Sequence, residues 1–362
     1  MFVVKYSELG VKSRAVRARM ENVLMENIRN AYKKNKIDVK VRKKDGRITV
    51  DGENGEILEK IFGVSSYCKA IVCEKDIEKI ANEVSESMEK NKKYKIEVNR
   101  TDKNFPLTAP EITKIMVERI ENRGMRLGVK SYDEKIVIEI REGGAYVLFD
   151  ERKGPGGMPY GTGGNALALF SGGIDSPVAA WMVAKRGVRV DFLFYSFNES
   201  IKENVVGVFR KLNDGWFLGG KLFIFDGREI NKQIAECEER YRQVIFKRVL
   251  YRIANSIPGY DGIVTGESIG QVSSQTLKNL GVIDKASERI VLRPLVGLDK
   301  QEITDMAKKI GTYELSAHIP EFCAFTKKKP ATAAKLSDVE EEEKKIDWNV
   351  VDEKVRNVEV IC

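Results

Sequence analysis

Residues 165–176 read Asn-Ala-Leu-Ala-Leu-Phe-Ser-Gly-Gly-Ile-Asp-Ser, and they hold the densest chemistry in the chain. An apolar run from Ala166 to Phe170 breaks into Ser171-Gly172-Gly173-Ile174-Asp175-Ser176, and Pro177 then opens a helical stretch that runs to Arg186. A strand, a loop of small residues and a helix N-terminus, in that order, leave backbone N–H groups and a positive dipole end where a phosphate can sit. Gly172 and Gly173 let the main chain approach an anion closely. Ser171 and Ser176 add hydroxyls, and Pro177 suits a first helical turn that needs no N–H. The loop lacks the lysine of a G-x-x-x-x-G-K-[ST] motif and the spacing of a G-x-G-x-x-G dinucleotide turn. Asp175 sits inside the cradle instead, where a carboxylate serves either a metal ion or a water, or simply caps the helix.

The elements that must hold this loop alternate strand and helix. Strands are predicted at 166–170, 188–196, 221–225, 262–265 and 290–292, and helices at 177–186, 201–212, 229–256 and 299–310. That is an α/β fold: a doubly wound parallel sheet with its ligand loops at the strand carboxyl ends. The acidic run Glu340–Glu343 falls in a C-terminal helix and reads as a solvated face.

Two small α+β units are predicted ahead of it. In 1–60, a strand at Phe2–Val4 precedes a helix over Arg14–Lys34, and Val39–Arg42 pairs with Arg47–Val50 around an Asp45-Gly46 turn. In 61–160, strands at Lys69–Cys73, Lys95–Val98, Lys135–Ile140 and Ala145–Phe149 enclose helices at Ile77–Met88 and Ala109–Arg123. The glycine- and proline-rich stretch 154–164 marks a linker or a close-packed turn, and 161–362 forms the third domain.

Charge is unevenly placed. Residues 1–50 carry 14 Lys/Arg against 5 Asp/Glu, so they exceed by one the whole chain's net charge of +8. A basic block at one end is what a phosphate backbone attracts, and Arg14, Arg17 and Arg19 share one side of the first helix. The loop Asn99–Pro106 sets Arg100 and Lys103 around one aromatic ring, a pattern that can contact RNA phosphates or stack a base, although taken alone a polar turn is the simpler explanation. Five scattered cysteines and a single histidine disfavour disulfides and a zinc site and point to a reducing, cytoplasmic setting. No apolar stretch is long enough to span a membrane.

The loop Ser171–Ser176 resembles the PP-loop of the ATP pyrophosphatases, and further motifs extend the likeness over nearly the whole chain. Lys5-Tyr6-Ser7-Glu8-Leu9-Gly10, Val98–Lys103 with Phe105-Pro106-Leu107, Thr265–Thr276, Arg293-Pro294-Leu295 and Asp299-Lys300 stand in the order found in the tRNA 4-thiouridine synthetases, or tRNA sulfurtransferases. The resemblance implies an N-terminal ferredoxin-like domain, a THUMP RNA-binding domain and a PP-loop domain that uses ATP and Mg²⁺. It implies tRNA as the partner, two copies sharing one tRNA, and a sulfur donor that is either sulfide or a desulfurase persulfide. Some members also serve thiamine synthesis. The nucleotide positions it implies are Leu169, Phe170, the loop Ser171, Gly172, Gly173, Asp175 and Ser176, then Phe194, Tyr195, Lys247, Gly266 and Gln275. Cys323, in Pro320-Glu321-Phe322-Cys323, aligns with the family's active-site cysteine, and the lysines at 327–329 would favour its thiolate. Asp175 is implied to organise the metal or the attack. The chain reads as a short form, without the rhodanese-like domain that some members carry. Cys323 has no C-x-x-C partner for a cluster.

Two other readings stay open at the level of residues alone. One is a PP-loop ligase with an amine nucleophile, for which no glutaminase region is visible. The other is a non-catalytic tRNA-binding protein that retains a nucleotide pocket.

Overall fold

In the first of two compact units, Met1–Pro159, the apolar residues of the first helix set the register. Met20, Leu24, Ile28, Ala31 and Tyr32, three or four apart, are all buried along α1 (Arg14–Lys34), the spacing of one helical face. The structure is a computed structural model and describes all residues except 7, 45, 46 and 320–329. The remaining elements of this unit are β1 (Phe2–Lys5), β2 (Lys40–Lys44), β3 (Arg47–Asp51), β4 (Ser66–Cys73), α2 (Ile77–Glu86), β5 (Lys93–Arg100), α3 (Ala109–Asn122), β6 (Arg126–Leu127), β7 (Glu134–Arg141) and β8 (Gly144–Lys153).

They form one sheet in the order β2-β3-β1-β4-β8-β7-β5-β6. Strand β4 pairs antiparallel with β1 on one side and with β8 on the other, so the sheet runs unbroken through residue 60. The predicted hairpin is present, with Lys44 opposite Arg47; its Asp45-Gly46 turn lies outside the described residues. Two of the strands meet through a buried ion cluster, in which Glu139 of β7 accepts from Arg47 of β3 at 2.8 Å and from Arg141 at 2.8 Å.

The second unit, Tyr160–Cys362, comprises β9 (Asn165–Leu169), α4 (Asp175–Lys185), β10 (Arg189–Ser196), α5 (Glu199–Gly215), β11 (Leu222–Asp226), α6 (Arg228–Glu236), α7 (Arg242–Ser256), β12 (Gly262–Val264), α8 (Leu277–Asp284), β13 (Ile290–Leu292), α9 (Lys300–Ile310), α10 (Tyr313–Ser316), α11 (Leu336–Glu343), α12 (Trp348–Arg356) and β14 (Glu359–Ile361). The five predicted strands are parallel and ordered β13-β12-β9-β10-β11. Ala166, Leu167 and Ala168 are all buried, as a strand covered on both faces requires. The chain winds outward from β9 through β10 to β11, then returns to place β12 on the opposite side. The switch point of the sheet therefore lies between β9 and β12, where a crevice opens beyond the strand carboxyl ends.

Three departures from the sequence reading share a cause. The long helix predicted at 229–256 is two, α6 and α7. Between them Arg242 donates to the carbonyls of Cys237 and Ala235, while the Cys237 thiol meets the Glu342 carbonyl at 3.4 Å. The acidic run is not wholly solvated either: Glu343 is buried, and the equally buried Arg248 of α7 donates to both its oxygens, at 2.6 and 2.9 Å. Helix α8 and the strands β6 and β14 were not predicted, and β14 adds an antiparallel edge to the sheet through β11. Each departure is set by a partner distant in sequence.

Candidate nucleotide site

The switch point carries a cavity of about 350 Å³, bounded by residues following β9, β10 and β12 and by the α7 face that bears Gln243, Phe246 and Lys247. Its floor is the predicted loop. The Ser171 N–H donates to Ser176 Oγ at 3.2 Å, the two hydroxyls lie 3.3 Å apart, and the Gly173 N–H points at Ser171 Oγ at 3.4 Å. Gly172 has φ +76°, and a Cβ on it would meet Ile319 Cδ1 at 2.7 Å and Val205 Cγ2 at 3.0 Å. Both the turn and the close packing need glycine there.

Gly266 is tight for a different reason. A Cβ on it would stand 3.0 Å from the Asp175 carbonyl carbon and from the Ser176 nitrogen. The loop after β12 thus lies directly against the first turn of α4, and this contact brings the two halves of the site together.

Asp175 is the first residue of α4, and both its oxygens are engaged. Lys300, from the start of α9, donates to Oδ1 at 2.7 Å, and the Gln271 amide donates to Oδ2 at 3.0 Å. Behind the wall, the buried Glu267 accepts from Arg293 at 2.8 Å, Thr265 at 3.0 Å and Tyr251 at 3.1 Å, all at Oε2. Lys247 Nζ lies 3.6 Å from the other oxygen. Burial opposes the ionisation of Glu267, but Lys247 and Arg293 outweigh it and hold its pKa below the ordinary carboxylate value. The Lys247 ammonium is thereby tethered at the cavity by a fixed negative charge.

Of the residues implied as nucleotide contacts, Leu169, Phe170, Ser171, Gly173, Asp175, Ser176, Phe194, Tyr195, Lys247, Gly266 and Gln275 all line the cavity. Gly172 supports it from behind. Phe170 packs edge-on against Phe192, and the Tyr195 hydroxyl lies 2.9 Å from the Gly227 carbonyl and 2.8 Å from the Asn231 amide oxygen, its one proton shared between these two acceptors. These two side chains belong to the core. Gln275 is buried, and its Oε1 has no hydrogen-bond partner among the described residues. A buried acceptor in a cavity wall is matched by a donor such as an exocyclic amine. Cys323 lies outside the described residues; Ile319, four positions earlier, lines the cavity. Gln271, Glu267 and Lys300 are site residues that the motifs Thr265–Thr276 and Asp299-Lys300 contain but do not single out.

In the first unit the basic residues divide. Arg14 and Arg19 are exposed on α1, whereas Arg17 is half-buried and donates to the Gly10 carbonyl. Arg100 turns inward onto the carbonyls of Lys103 and Phe105, at 3.1 and 3.0 Å, and Lys103 is exposed. Phe105 is only 8% exposed, so its ring is not a platform for a base.

A glycine loop at the switch point of a doubly wound sheet, with lysines at its rim, puts the second unit in the class of α/β nucleotide-binding proteins. Comparison with known proteins narrows the class. The family described as Thiamine biosynthesis protein (ThiI) matches residues 161–348, the ThiI ferredoxin-like domain matches 1–68, and the THUMP domain matches 73–150. The chain is 35% identical to the tRNA sulfurtransferase of Thermoplasma acidophilum, over 99% of this chain and 77% of that protein. It is 38% identical to the probable tRNA sulfurtransferase of Thermococcus kodakarensis, over 91% and 92% of the two chains. Among solved structures, a 4-thiouridine synthetase–RNA complex with bound ATP aligns with a TM-score of 0.87 at 32% identity, covering 100% of this chain and 99% of that one. The chain belongs to the ThiI family, as its motifs implied.

Proposed function

We propose that this protein is an ATP-dependent tRNA sulfurtransferase that converts a uridine to 4-thiouridine. One observation carries the reading: the Ser171–Ser176 loop, with Lys300 and Lys247 beside it, floors a cavity at the switch point, in a chain whose relatives over nearly its full length are tRNA sulfurtransferases.

The C4 oxygen of uridine is a poor leaving group, and adenylation remedies this. O4 attacks the α-phosphorus of ATP, the bond to the β-phosphate bridge breaks and pyrophosphate leaves. A sulfur nucleophile then adds to C4, and O4 departs with AMP. Loop N–H groups, Lys300 and Lys247 stabilise the charge that develops on the phosphates, and Gln275 presents its free acceptor to the base of the nucleotide. Cys323 is assigned the delivery of sulfur: as a persulfide loaded by a desulfurase, its outer sulfur attacks C4 and displaces AMP, a second thiol then cleaves the S–S bond to leave the sulfur on the base, and an external thiol reductant reopens the resulting disulfide.

The target uridine must leave its stack to reach the cavity. Residues 1–60 and 61–160 are assigned to gripping the tRNA and 161–362 to the chemistry, with the exposed Arg14, Arg19 and Lys103 the better candidates for phosphate contact than the engaged Arg17 and Arg100.

No group of three or more His, Cys, Asp or Glu side chains that could hold a metal ion occurs among the described residues. Mg²⁺ keeps several waters and takes one or two carboxylates beside substrate phosphates; Asp175, in the cavity wall, is the residue that would hold it, in exchange for the Lys300 or Gln271 contact it now makes. Bound there, Mg²⁺ would supply neutralisation of phosphate charge.

The test uses purified protein, tRNA, ATP, Mg²⁺, a cysteine desulfurase with cysteine as the persulfide source and a thiol reductant, with nucleosides read by mass spectrometry and pyrophosphate and AMP measured in parallel. Wild type should yield 4-thiouridine and AMP together. Cys323→Ser should still release tRNA-dependent pyrophosphate and give no thiolated tRNA. Absence of tRNA-dependent pyrophosphate from wild type refutes the reading, and full thiolation by the variant removes Cys323 from it.

A further inference from the structure

Asn279, on α8, is completely buried, and its side-chain amide is fully committed. Its nitrogen donates to the Ser273 carbonyl at 2.7 Å and to the Ala331 carbonyl at 2.8 Å, and its oxygen accepts from the Ala334 N–H at 2.9 Å. Its backbone N–H donates to Thr276 Oγ1 at 3.2 Å, and that hydroxyl donates onward to the Thr332 carbonyl at 2.7 Å. Holding a helix in a core needs none of this; an apolar residue of similar size would fill the space without a polar group to satisfy.

What the amide joins are two segments more than fifty residues apart. One is the turn Ser273–Gln275, whose Ser274 and Gln275 form part of the nucleotide wall. The other, 331–334, follows the stretch that contains Cys323. Each of the three side-chain bonds falls on main-chain atoms of one segment or the other, so the spacing between them is fixed by a single planar group. Thr276, next to Gln275, adds a second tie to the same strand of chain.

We infer that Asn279 is a positioning residue that registers the nucleotide wall against the chain leaving the sulfur-bearing cysteine, and so couples adenylation to sulfur transfer. The inference rests on the function proposed above. It touches neither reacting group: the residue acts through Gln275 on one side and through residues 331–334 on the other.

The decisive quantity is the number of thiolated tRNAs formed per pyrophosphate released at saturating ATP. In Asn279→Ala this ratio should fall about tenfold, from the loss of bonds to Ala331 and Ala334, while pyrophosphate release falls less. The Ala334 amide should exchange its hydrogen about tenfold faster than in wild type, with the amides of α9 unchanged. Thr276→Val, which removes one tie, should lower the ratio about threefold, and Thr276→Ser, which keeps the hydroxyl, should restore it. The threonine pair decides the matter if Asn279→Ala does not fold. Pyrophosphate release and thiolation falling in equal proportion in these variants overturns the inference and leaves the enzyme reading intact. Failure of wild type to release pyrophosphate overturns the enzyme reading, and the Ala334 exchange rate then reports separately on whether Asn279 holds the segment.

Discussion

Alanine at Gly172 and alanine at Gly173 should do opposite kinds of damage, although the two residues are adjacent in one loop. Gly172 lies at φ +76°, a conformation that costs an L-residue about 1–2 kcal/mol. The added methyl would also stand 2.7 Å from Ile319 Cδ1, 3.0 Å from Val205 Cγ2 and 3.3 Å from Val205 Cα. Overpacking of that kind costs about 1–3 kcal/mol. The two terms together are about 2–5 kcal/mol, and for a unit of this size each kcal/mol moves the midpoint by about 2–4 °C. Gly172→Ala should therefore lower the melting transition of the second unit by roughly 4–20 °C. Gly173 has no positive φ, and a Cβ there meets only Ser171 Oγ, at 3.5 Å, an ordinary contact. Gly173→Ala should leave the melting temperature within about 2 °C of wild type, yet place a methyl where a phosphate must approach the main chain, and so depress pyrophosphate release. Differential scanning calorimetry of the full-length protein, paired with the pyrophosphate assay below both transitions, separates the two. Equal melting temperatures for the two variants would refute the conformational argument. Undiminished activity in Gly173→Ala would refute the anion cradle.

Two further outcomes follow from buried ionisable groups. Burial pushes the thiols of Cys68, Cys73 and Cys237 up to about 11, whereas Cys362 is exposed. At pH 8, iodoacetamide should label Cys362 in the native protein well before these three, as peptide mass spectrometry can follow; early labelling of Cys237 would contradict its burial. For Glu139, burial opposes ionisation, but Arg47 and Arg141 outweigh it, so its folded pKa lies below the unfolded value near 4.5. Its contribution to stability is present above that unfolded value and is lost as pH falls through the depressed folded one. Thermal melts between pH 6 and 3 should show a shallower acid decline for Glu139→Gln than for wild type, and parallel curves would count against the cluster.

The parts of the site that could be read from sequence are those built by neighbours along the chain. The β9 strand, the Ser171–Ser176 loop and α4 form one continuous segment, in which chain order alone forces the anion cradle into existence. Lys300 could not be placed in the same way. It reaches Asp175 across 125 residues, and nothing in Asp299-Lys300 says which loop it faces until β12 is set beside β9 and α9 packs against α4. The same non-locality explains the errors. The helix predicted at 229–256 follows its own apolar period, but the carbonyls of Ala235 and Cys237 are claimed by Arg242, and the Cys237 thiol by the Glu342 carbonyl. Glu343 looked like part of a solvated acidic face because Arg248, 95 residues earlier, was not yet opposite it. Phe105 stands in a loop that reads first as a polar turn and second as a base platform, because its neighbours in sequence do not say whether a ring among charges is covered. Arg100 folds the loop back onto itself through the carbonyls of Lys103 and Phe105, and the ring goes under. Asn279 belongs with these cases. Its neighbours in sequence ask only for a helix former, and its amide acquires meaning when two distant pieces of backbone arrive on either side of it.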